Sequence, residues 1–248
     1  MSLHRLPEAI LLDMDDTILS AYGEPEKAWK VVAAEFDAAL SGLPAAALAD
    51  AVSSFGRRFW SDRDMHKHWR LNLEEARRRI VAGALAELAE AGHAVPDASL
   101  ATAIADRYTS YRREQMHLFP GTVETLEHLR QAGVKLALIT NGAAHTQRAK
   151  VERFELLRWF HHIQIEGEAG FGKPEERAYR HALESLDVAA AQTWMIGDNL
   201  EWEVEVPQRL GMRGIWCDAY GQGLPPDSTI RPDKIIHRLP DLLSEIAA

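Results

Sequence analysis

Three short apolar runs, each ending on a carboxylate or a hydroxyl, constrain the fold of this chain more than any other feature. The runs are residues 9–12, 136–139 and 194–197, followed by Asp13 and Asp15, Thr140, and Asp198. A strand that is apolar nearly throughout is buried on both faces, as in a parallel sheet covered by helices. Such sheets bind ligands beyond the carboxyl ends of their strands, so we expect the three polar ends to converge.

Asp13 and Asp15 are separated by one residue. Successive residues of an extended strand point to opposite sides, so both carboxylates face one site and Met14 turns away. Two carboxylates held together repel each other unless a cation lies between them, or unless one is a nucleophile while the other holds a proton. Either arrangement predicts a metal-binding or catalytic role for the two carboxylates at this strand end.

Composition narrows the possible partners. With 248 residues, 46% of them hydrophobic, the chain can bury a large core or a core with an inserted domain. Acidic residues number 37 and basic residues 28, for a formal net charge of −9. Nucleic acid is therefore not expected as a partner, because a phosphate backbone requires a basic surface.

The cysteine count and hydropathy predict a cytoplasmic protein. Cys217 is the only cysteine, which excludes an internal disulfide and favours a reducing compartment. No apolar stretch approaches the roughly 18 residues of a membrane span. Glu8 and Asp13 interrupt the N-terminal run too early for a signal peptide. We expect no membrane partner.

The pattern of predicted secondary structure changes twice along the chain. From Pro25 to about Met116 the pattern is helical and predicts an inserted bundle of four or five helices, with Asn72 capping a helix over 73–91. The segments after about Pro120 alternate between helix and strand patterns, which is typical of a doubly wound parallel sheet. The predicted helices cover 123–132, 144–154, a segment after 174, 202–210 and 239–247, and the predicted strands cover 134–140, a segment near 163, a segment ending at 197, 214–217 and 234–237.

The predicted fold class is α/β, a doubly wound parallel sheet with an inserted α-helical domain. The predicted domains are a core of residues 1–20 and 117–248 and a helical insert of residues 21–116. Because the insert leaves the sheet next to Asp13 and returns near Pro120, we expect it to cover the site as a lid.

Four segments resemble, in the right order, the four motifs of the haloacid dehalogenase (HAD) superfamily. They are Asp13-Met14-Asp15-Asp16-Thr17, Ile139-Thr140-Asn141-Gly142, Gly172-Lys173-Pro174 and Gly197-Asp198-Asn199-Leu200-Glu201-Trp202-Glu203. A lone Asp-x-Asp-x-Thr occurs by chance in roughly a few per cent of chains this long, whereas four ordered motifs are much harder to obtain by accident. The resemblance spans the chain and implies a Rossmann-like core with a helical cap of the C1 type.

The resemblance also implies a role for each motif residue. Asp13 is expected to be the nucleophile that forms an aspartyl-phosphate, and Asp15 the general acid and base. Thr17 is expected to orient Asp15, and Asp16 either presents turn amides to phosphoryl oxygens or only forms the turn.

The later motifs are expected to bind the phosphoryl group. Thr140 supplies a hydroxyl and Lys173 a positive charge. The residues expected to orient or bind phosphate beside them are Asn141, Gly142 and Asn199.

The implied cofactor is Mg²⁺, a hard cation that takes oxygen ligands. The expected ligands are a side-chain oxygen of Asp13, the backbone carbonyl of Asp15, and Asp198. Glu203 stands where the family more often has Asp, so direct ligation, a metal-bound water and a hydrogen bond to Asn199 all stay open.

The resulting prediction is a magnesium-dependent phosphatase that acts on a small phosphorylated metabolite, as a monomer or homodimer. A phosphomutase is the first alternative, although mutases of this superfamily usually have Val where this chain has Thr17. A haloacid dehalogenase is the second, opposed by Asp15 and Asp198. A receiver-type signalling module is disfavoured, because such domains are about half this length and lack a helical insert.

Overall fold

The computed structural model describes residues 5–40 and 42–243, and the chain divides into two compact units. One unit contains the described residues up to Ser20 and from His117 onward, and the other covers Ala21–Met116. Each unit has a hydrophobic core of its own.

The unit Ala21–Met116 contains five α-helices within its described residues. They are α1 (Pro25–Glu35), α2 (Ala45–Ser61), α3 (Arg63–Trp69), α4 (Leu73–Glu90) and α5 (Ala98–Gln115). Pro25 opens α1, where its missing N–H costs nothing. The predicted cap of α4 is confirmed, because Asn72 Oδ1 accepts a hydrogen bond of 3.4 Å from Glu75 N.

An aromatic stack lies in the core of this helical unit. The rings of Trp29 on α1 and Tyr108 on α5 lie 3.5 Å apart and nearly parallel. Both residues are almost fully buried. At the start of the unit, the buried guanidinium of Arg112 donates hydrogen bonds to the backbone carbonyls of Ala21 and Gly23.

The other unit contains eight strands and five α-helices within its described residues. The strands are β1 (Ala9–Leu12), β2 (Leu19–Ser20), β3 (His117–Leu118), β4 (Lys135–Thr140), β5 (His162–Ile165), β6 (Thr193–Gly197), β7 (Arg213–Cys217) and β8 (Lys234–Ile236), and the helices are α6 (Thr122–Gln131), α7 (Ala144–Arg153), α8 (Glu166–Ala169), α9 (Glu176–Leu186) and α10 (Val206–Arg209). Six strands form one parallel sheet in the order β5-β4-β1-β6-β7-β8. The predicted doubly wound α/β class is thus confirmed.

Strand β1 lies in the middle of the sheet between β4 and β6. Leu12 is in register with Leu138 on one side and Ile196 on the other. All four residues of β1 are fully buried, as its apolar sequence requires. The carboxyl ends of β1, β4 and β6 therefore lie side by side at the point where the strand order changes direction, which is where α/β sheets bind ligands.

The chain leaves and re-enters this unit through a short antiparallel ladder. Leu19 of β2 pairs with Leu118 of β3, and Ser20 pairs with His117. Phe119 N also donates to Ile18 O at 3.0 Å. The two ends of the helical insert are thus joined by backbone hydrogen bonds next to the first motif.

Two of the predicted helices take a different form in the described structure. The helix predicted over 202–210 begins as a π-helix, Leu200–Glu205, before α10. Part of the closing helix predicted over 239–247 is a 3₁₀ turn, Leu239–Leu242, and residues 244–247 lie outside the described residues. None of the described helices has the length and apolar character that crossing a membrane requires.

Candidate active site

Asp13 lies directly after β1 and is buried. Lys173 Nζ donates to its Oδ1 at 2.5 Å, and Thr17 Oγ1 donates to its Oδ2 at 3.3 Å. Burial raises the pKa of Asp13, the charge of Lys173 opposes this rise, and the charge of Asp15 adds to it. Lys173 therefore helps to keep this buried carboxyl in its charged form.

The contact of Thr17 differs from the prediction, which directed its hydroxyl to Asp15. The amides of Ile18 and Leu19 both donate to the carbonyl of Met14, which closes a tight turn directly after β1. This turn brings Thr17, four residues after Asp13, back beneath the Asp13 carboxylate. The geometry of this turn determines that the Thr17 hydroxyl contacts Asp13 and not Asp15.

Asp15 is bound by residues that the sequence analysis did not identify. Lys150 Nζ donates to both of its carboxylate oxygens, at 2.7 and 2.8 Å, and Gln147 Nε2 donates to Oδ2 at 2.8 Å. Asp13 and Asp15 thus each pair with a separate lysine. The repulsion expected between the two carboxylates is reduced by these two buried cations.

Gln147 also links the first motif to the second. Its Nε2 donates to the Thr140 hydroxyl oxygen at 2.5 Å. Thr140 is buried at the end of β4, and within the described residues its hydroxyl proton has no acceptor. The Thr140 hydroxyl is therefore free to donate to a bound oxyanion.

Asn141, predicted to orient or bind phosphate, holds the backbone of Lys173. Its Nδ2 donates to Lys173 O at 2.7 Å, and its Oδ1 accepts from Lys173 N at 2.9 Å. A Cβ on Gly172 would lie 2.6 Å from Asn141 Oδ1, so only glycine allows this close approach. Asn141 therefore positions the third motif.

Gly142 is held by Glu166, another residue that the sequence analysis missed. Gly142 N donates to the buried Glu166 carboxylate at 2.9 Å. The φ of Gly142 is +127°, a value that favours glycine. The backbone thereby turns from β4 into α7, which carries Gln147 and Lys150.

Glu203 is fully buried and directs its two oxygens to different partners. Lys173 Nζ lies 2.8 Å from Oε1, as an ion pair without the alignment of a hydrogen bond, and Asn199 N donates to Oε2 at 2.7 Å. Burial raises the pKa of Glu203 to about 7 despite the opposing charge of Lys173. Burial alone would lower the pKa of Lys173, but the negative charges of Asp13 and Glu203 raise it.

The fourth motif is shaped by the π-helix that follows it. Asn199 Oδ1 caps this segment by accepting from Trp202 N at 3.1 Å. Isolated π-turns occur frequently at functional sites, where they alter the direction of a side chain. Here the π-turn carries Glu203 inward to Lys173, which a periodicity-based prediction cannot anticipate.

Asp198 follows β6 and is exposed. Its backbone carbonyl accepts from Trp216 Nε1 at 2.7 Å, whereas its carboxylate has no hydrogen bond or ion pair within residues 5–40 and 42–243. The surrounding protein and the charges of Asp13, Glu203 and Asp16 raise the pKa of Asp198 well above its usual value. Since the side chain is exposed, we attribute more of this rise to the three carboxylates than to desolvation.

The donor set fits a hard divalent cation. In the part of the chain that the structure describes, no three His, Cys, Asp or Glu side chains form a ready metal cluster. Mg²⁺ does not require one, because it usually keeps several waters and binds through one or two carboxylates. Asp13 and Asp198 provide such oxygens, and neighbouring carboxylates add to the rise that burial causes in their pKa values, which is negative charge that a cation would neutralise.

Asp16 lies in the turn after Asp15 with a φ of +57°. Its Oδ1 accepts a hydrogen bond of 2.9 Å from the Tyr220 hydroxyl, which also lies 3.1 Å from Ser20 Oγ. Asp16 is thus a turn residue fixed by Tyr220, a contact that no sequence signal indicated.

Two comparisons of sequence place these residues in context. A family model described as haloacid dehalogenase-like hydrolase matches residues 7–211. The phosphoserine phosphatase of Thermus thermophilus is 37% identical over 122 residues, which cover 49% of this chain and 48% of that protein. The chain spans about half the length of the curated relatives it matches first.

Solved structures share the fold over nearly the whole chain. A putative HAD-hydrolase, YfnB, from Bacillus subtilis bound to magnesium superposes with a TM-score of 0.65 at 22% identity, covering 98% of this chain and 100% of that one. A 2-haloacid dehalogenase from Pseudomonas syringae pv. tomato superposes with a TM-score of 0.58 at 26% identity, covering 98% and 99%.

Proposed function

The chain belongs to the haloacid dehalogenase-like hydrolases, and from this premise we propose that it is a magnesium-dependent phosphatase acting on a small phosphate monoester. The observation that supports this most is the pairing of two adjacent carboxylates with two separate buried lysines. Hydrolysis of a phosphate monoester needs a nucleophile, charge neutralisation and a proton donor together. Asp13 is suited to the first task, the two lysines to the second, and Asp15, in its protonated form, to the third.

In the proposed reaction Asp13 is the nucleophile. One carboxylate oxygen attacks phosphorus, the bond between phosphorus and the ester oxygen breaks, and an aspartyl-phosphate forms. Asp15 enters the reaction protonated and delivers this proton to the leaving alkoxide. In the second half of the reaction Asp15 takes a proton from the water that attacks the phosphorus, and phosphate leaves as Asp13 is regenerated.

Thr140 and Lys173 bind the transferring phosphoryl group in this proposal. The Thr140 hydroxyl donates to one oxygen, and the ammonium of Lys173 balances the growing charge. Asn141 holds the backbone of Lys173, and Glu203 holds its side chain. We propose that Glu203 acts through Lys173 and that the metal is held by Asp13, Asp198 and the backbone carbonyl of Asp15. Bound Mg²⁺ supplies further charge neutralisation at the phosphoryl oxygens.

We propose that the unit Ala21–Met116 acts as a cap over this site. It is inserted directly after the first motif, and its two connections to the other unit are paired in the β2–β3 ladder. Lids of this kind exclude water and confine the site to small substrates. Phosphoserine phosphatase, the name of the relative above, is consistent with a small phosphorylated metabolite as substrate.

The likeness to a 2-haloacid dehalogenase raises a second candidate function. A dehalogenase would use the same Asp13 nucleophile to displace halide, but it needs neither a proton donor at Asp15 nor a metal. Asp15 is held by three hydrogen bonds, and no side chain among the described residues pairs with the Asp198 carboxylate. Both features support the phosphatase.

The test is phosphate release from a panel of phosphorylated metabolites, with magnesium and with EDTA. We expect release by the wild type in magnesium, little release in EDTA, and loss of turnover in Asp13→Asn. Asp227→Asn is the matched control, because Asp227 is exposed in the same unit and should keep full activity. Full activity in Asp13→Asn, or halide release from 2-haloacids in place of phosphate release, would refute the proposal.

A further inference from the structure

Lys150 is a buried cation of the site that lies outside the four motifs. Its side chain is 5% exposed and that of Asp15 is 13% exposed. A buried lysine is costly unless it is paired and hydrogen-bonded. Here the ammonium contacts both oxygens of a single carboxylate.

Helix α7 brings Lys150 and Gln147 to Asp15 together. The two residues are three apart, so they lie on the same helix face, and both are almost fully buried. An amphipathic helix normally buries apolar residues on such a face. That this face is polar, and directed to one carboxylate, indicates a task other than packing.

The contacts restrict Asp15 to one orientation. Three donated hydrogen bonds, at 2.7, 2.8 and 2.8 Å, fix both carboxylate oxygens. Gln147 ties the same carboxylate to the Thr140 hydroxyl, since its Nε2 donates to both. The group expected to transfer the proton is therefore aligned with the group expected to bind the phosphoryl oxygen.

We infer that Lys150 is a positioning residue, which together with Gln147 holds Asp15 where it exchanges a proton with the leaving oxygen. This inference rests on the proposed phosphatase function. In this proposal Lys150 acts on the reaction through Asp15, whose two carboxylate oxygens its ammonium contacts. Its effect on turnover must therefore follow how much each substrate depends on Asp15.

Substrates with different leaving groups distinguish a positioning role of Lys150 from a purely structural one. An alkyl phosphate expels an alkoxide, which needs a proton, whereas p-nitrophenyl phosphate expels a nitrophenolate that leaves without one. General acid catalysis contributes roughly 10²–10⁴-fold, so a misaligned acid should forfeit about 10- to 100-fold on the alkyl ester alone. A general loss of folding or of phosphate binding would lower turnover of both esters equally.

The experiment compares kcat and KM for Lys150→Met on p-nitrophenyl phosphate and on the alkyl phosphate that the wild type hydrolyses fastest. We expect kcat for the alkyl ester to fall about 10- to 100-fold more than kcat for the aryl ester, with KM little changed. Lys150→Arg, which keeps the charge and the donors, should restore part of the difference. Lys135→Met is the control, because Lys135 binds the carbonyls of Leu186 and Asp187 at the opposite end of β4.

Gln147→Met keeps the experiment decisive if Lys150→Met does not fold. It removes one hydrogen bond to Asp15 and leaves the ion pair, so a smaller loss of the same selectivity is expected. Equal losses on both esters, with an active wild type, would overturn this inference and leave the phosphatase proposal intact. No phosphate release by the wild type from either ester would overturn both.

Discussion

Gly197, the last residue of β6, lies between Asp13 and Glu203. A Cβ at this position would lie 2.1 Å from Glu203 Cγ and 3.0 Å from Asp13 Cβ. Glu203 is fully buried and cannot retreat into solvent. We therefore expect Gly197→Ala to push Glu203, and with it Lys173, away from Asp13 by about an ångström.

The displacement has two measurable costs. Inserting a methyl group into a packed interior destabilises a protein by about 1–3 kcal/mol. Moving a catalytic group by about 1 Å costs up to roughly 10²-fold in turnover. For Gly197→Ala we expect a loss of about 2 kcal/mol in the free energy of unfolding and a fall of about 30- to 100-fold in kcat.

Denaturant unfolding and phosphate release under conditions where the variant is fully folded measure the two costs separately. Gly83→Ala is the matched control, because its Cβ would lie 2.2 Å from the ring of Phe55, in the helical unit. It should lose less stability, because alanine favours the helix and the half-buried Phe55 ring can move, and it should keep kcat within a few-fold. An unchanged kcat in Gly197→Ala, or an equal fall in both variants, would refute the assigned role of this contact.

Three further predictions follow from buried groups. Lys173→Met leaves the carboxylates of Asp13 and Glu203 without their cation, so we expect a loss of about 3–5 kcal/mol in unfolding experiments at pH 8. This loss should be smaller at pH 6 than at pH 8, because removing Lys173 raises the pKa of Glu203 above the value of about 7 that it has beside Lys173, and its protonation then removes one buried charge; an equal loss at pH 8 and pH 6 would contradict the prediction. Burial, with a contribution from the charge of Asp198, raises the pKa of Cys217 to about 12, so a thiol reagent at pH 8 should label it only on unfolding, and rapid labelling of the native protein would disprove this. Trp29→Ala removes a buried stacked ring and should cost about 3–5 kcal/mol, seen as a lower unfolding midpoint, whereas a change below 1 kcal/mol would argue against the stack.

The fold could be predicted because its signals are local. The apolar runs that became β1, β4 and β6 are buried on both faces, and that burial requires apolar residues at nearly every position. The cap of α4 at Asn72 needs only residues within one turn of helix. In both cases neighbouring residues carry the whole physical requirement.

The partners of the motif residues could not be predicted in the same way. Thr17 can reach either carboxylate, and only the turn closed on the Met14 carbonyl directs it to Asp13. Glu203 reaches Lys173 because residues 200–205 adopt a π-helix, which hydrophobic periodicity does not signal.

Lys150 and Gln147 illustrate the limit most clearly. Along the sequence they are two polar residues in a helix, a pattern that usually indicates a solvated face. Asp15 lies 135 positions before Lys150, and only the parallel pairing of β1 with β4 brings helix α7 to its carboxylate. The sequence by itself determined which residue types stand at the strand ends, because burial selects them locally. Tertiary structure alone decided which cation pairs with which carboxylate, because that depends on distances between segments far apart in the chain.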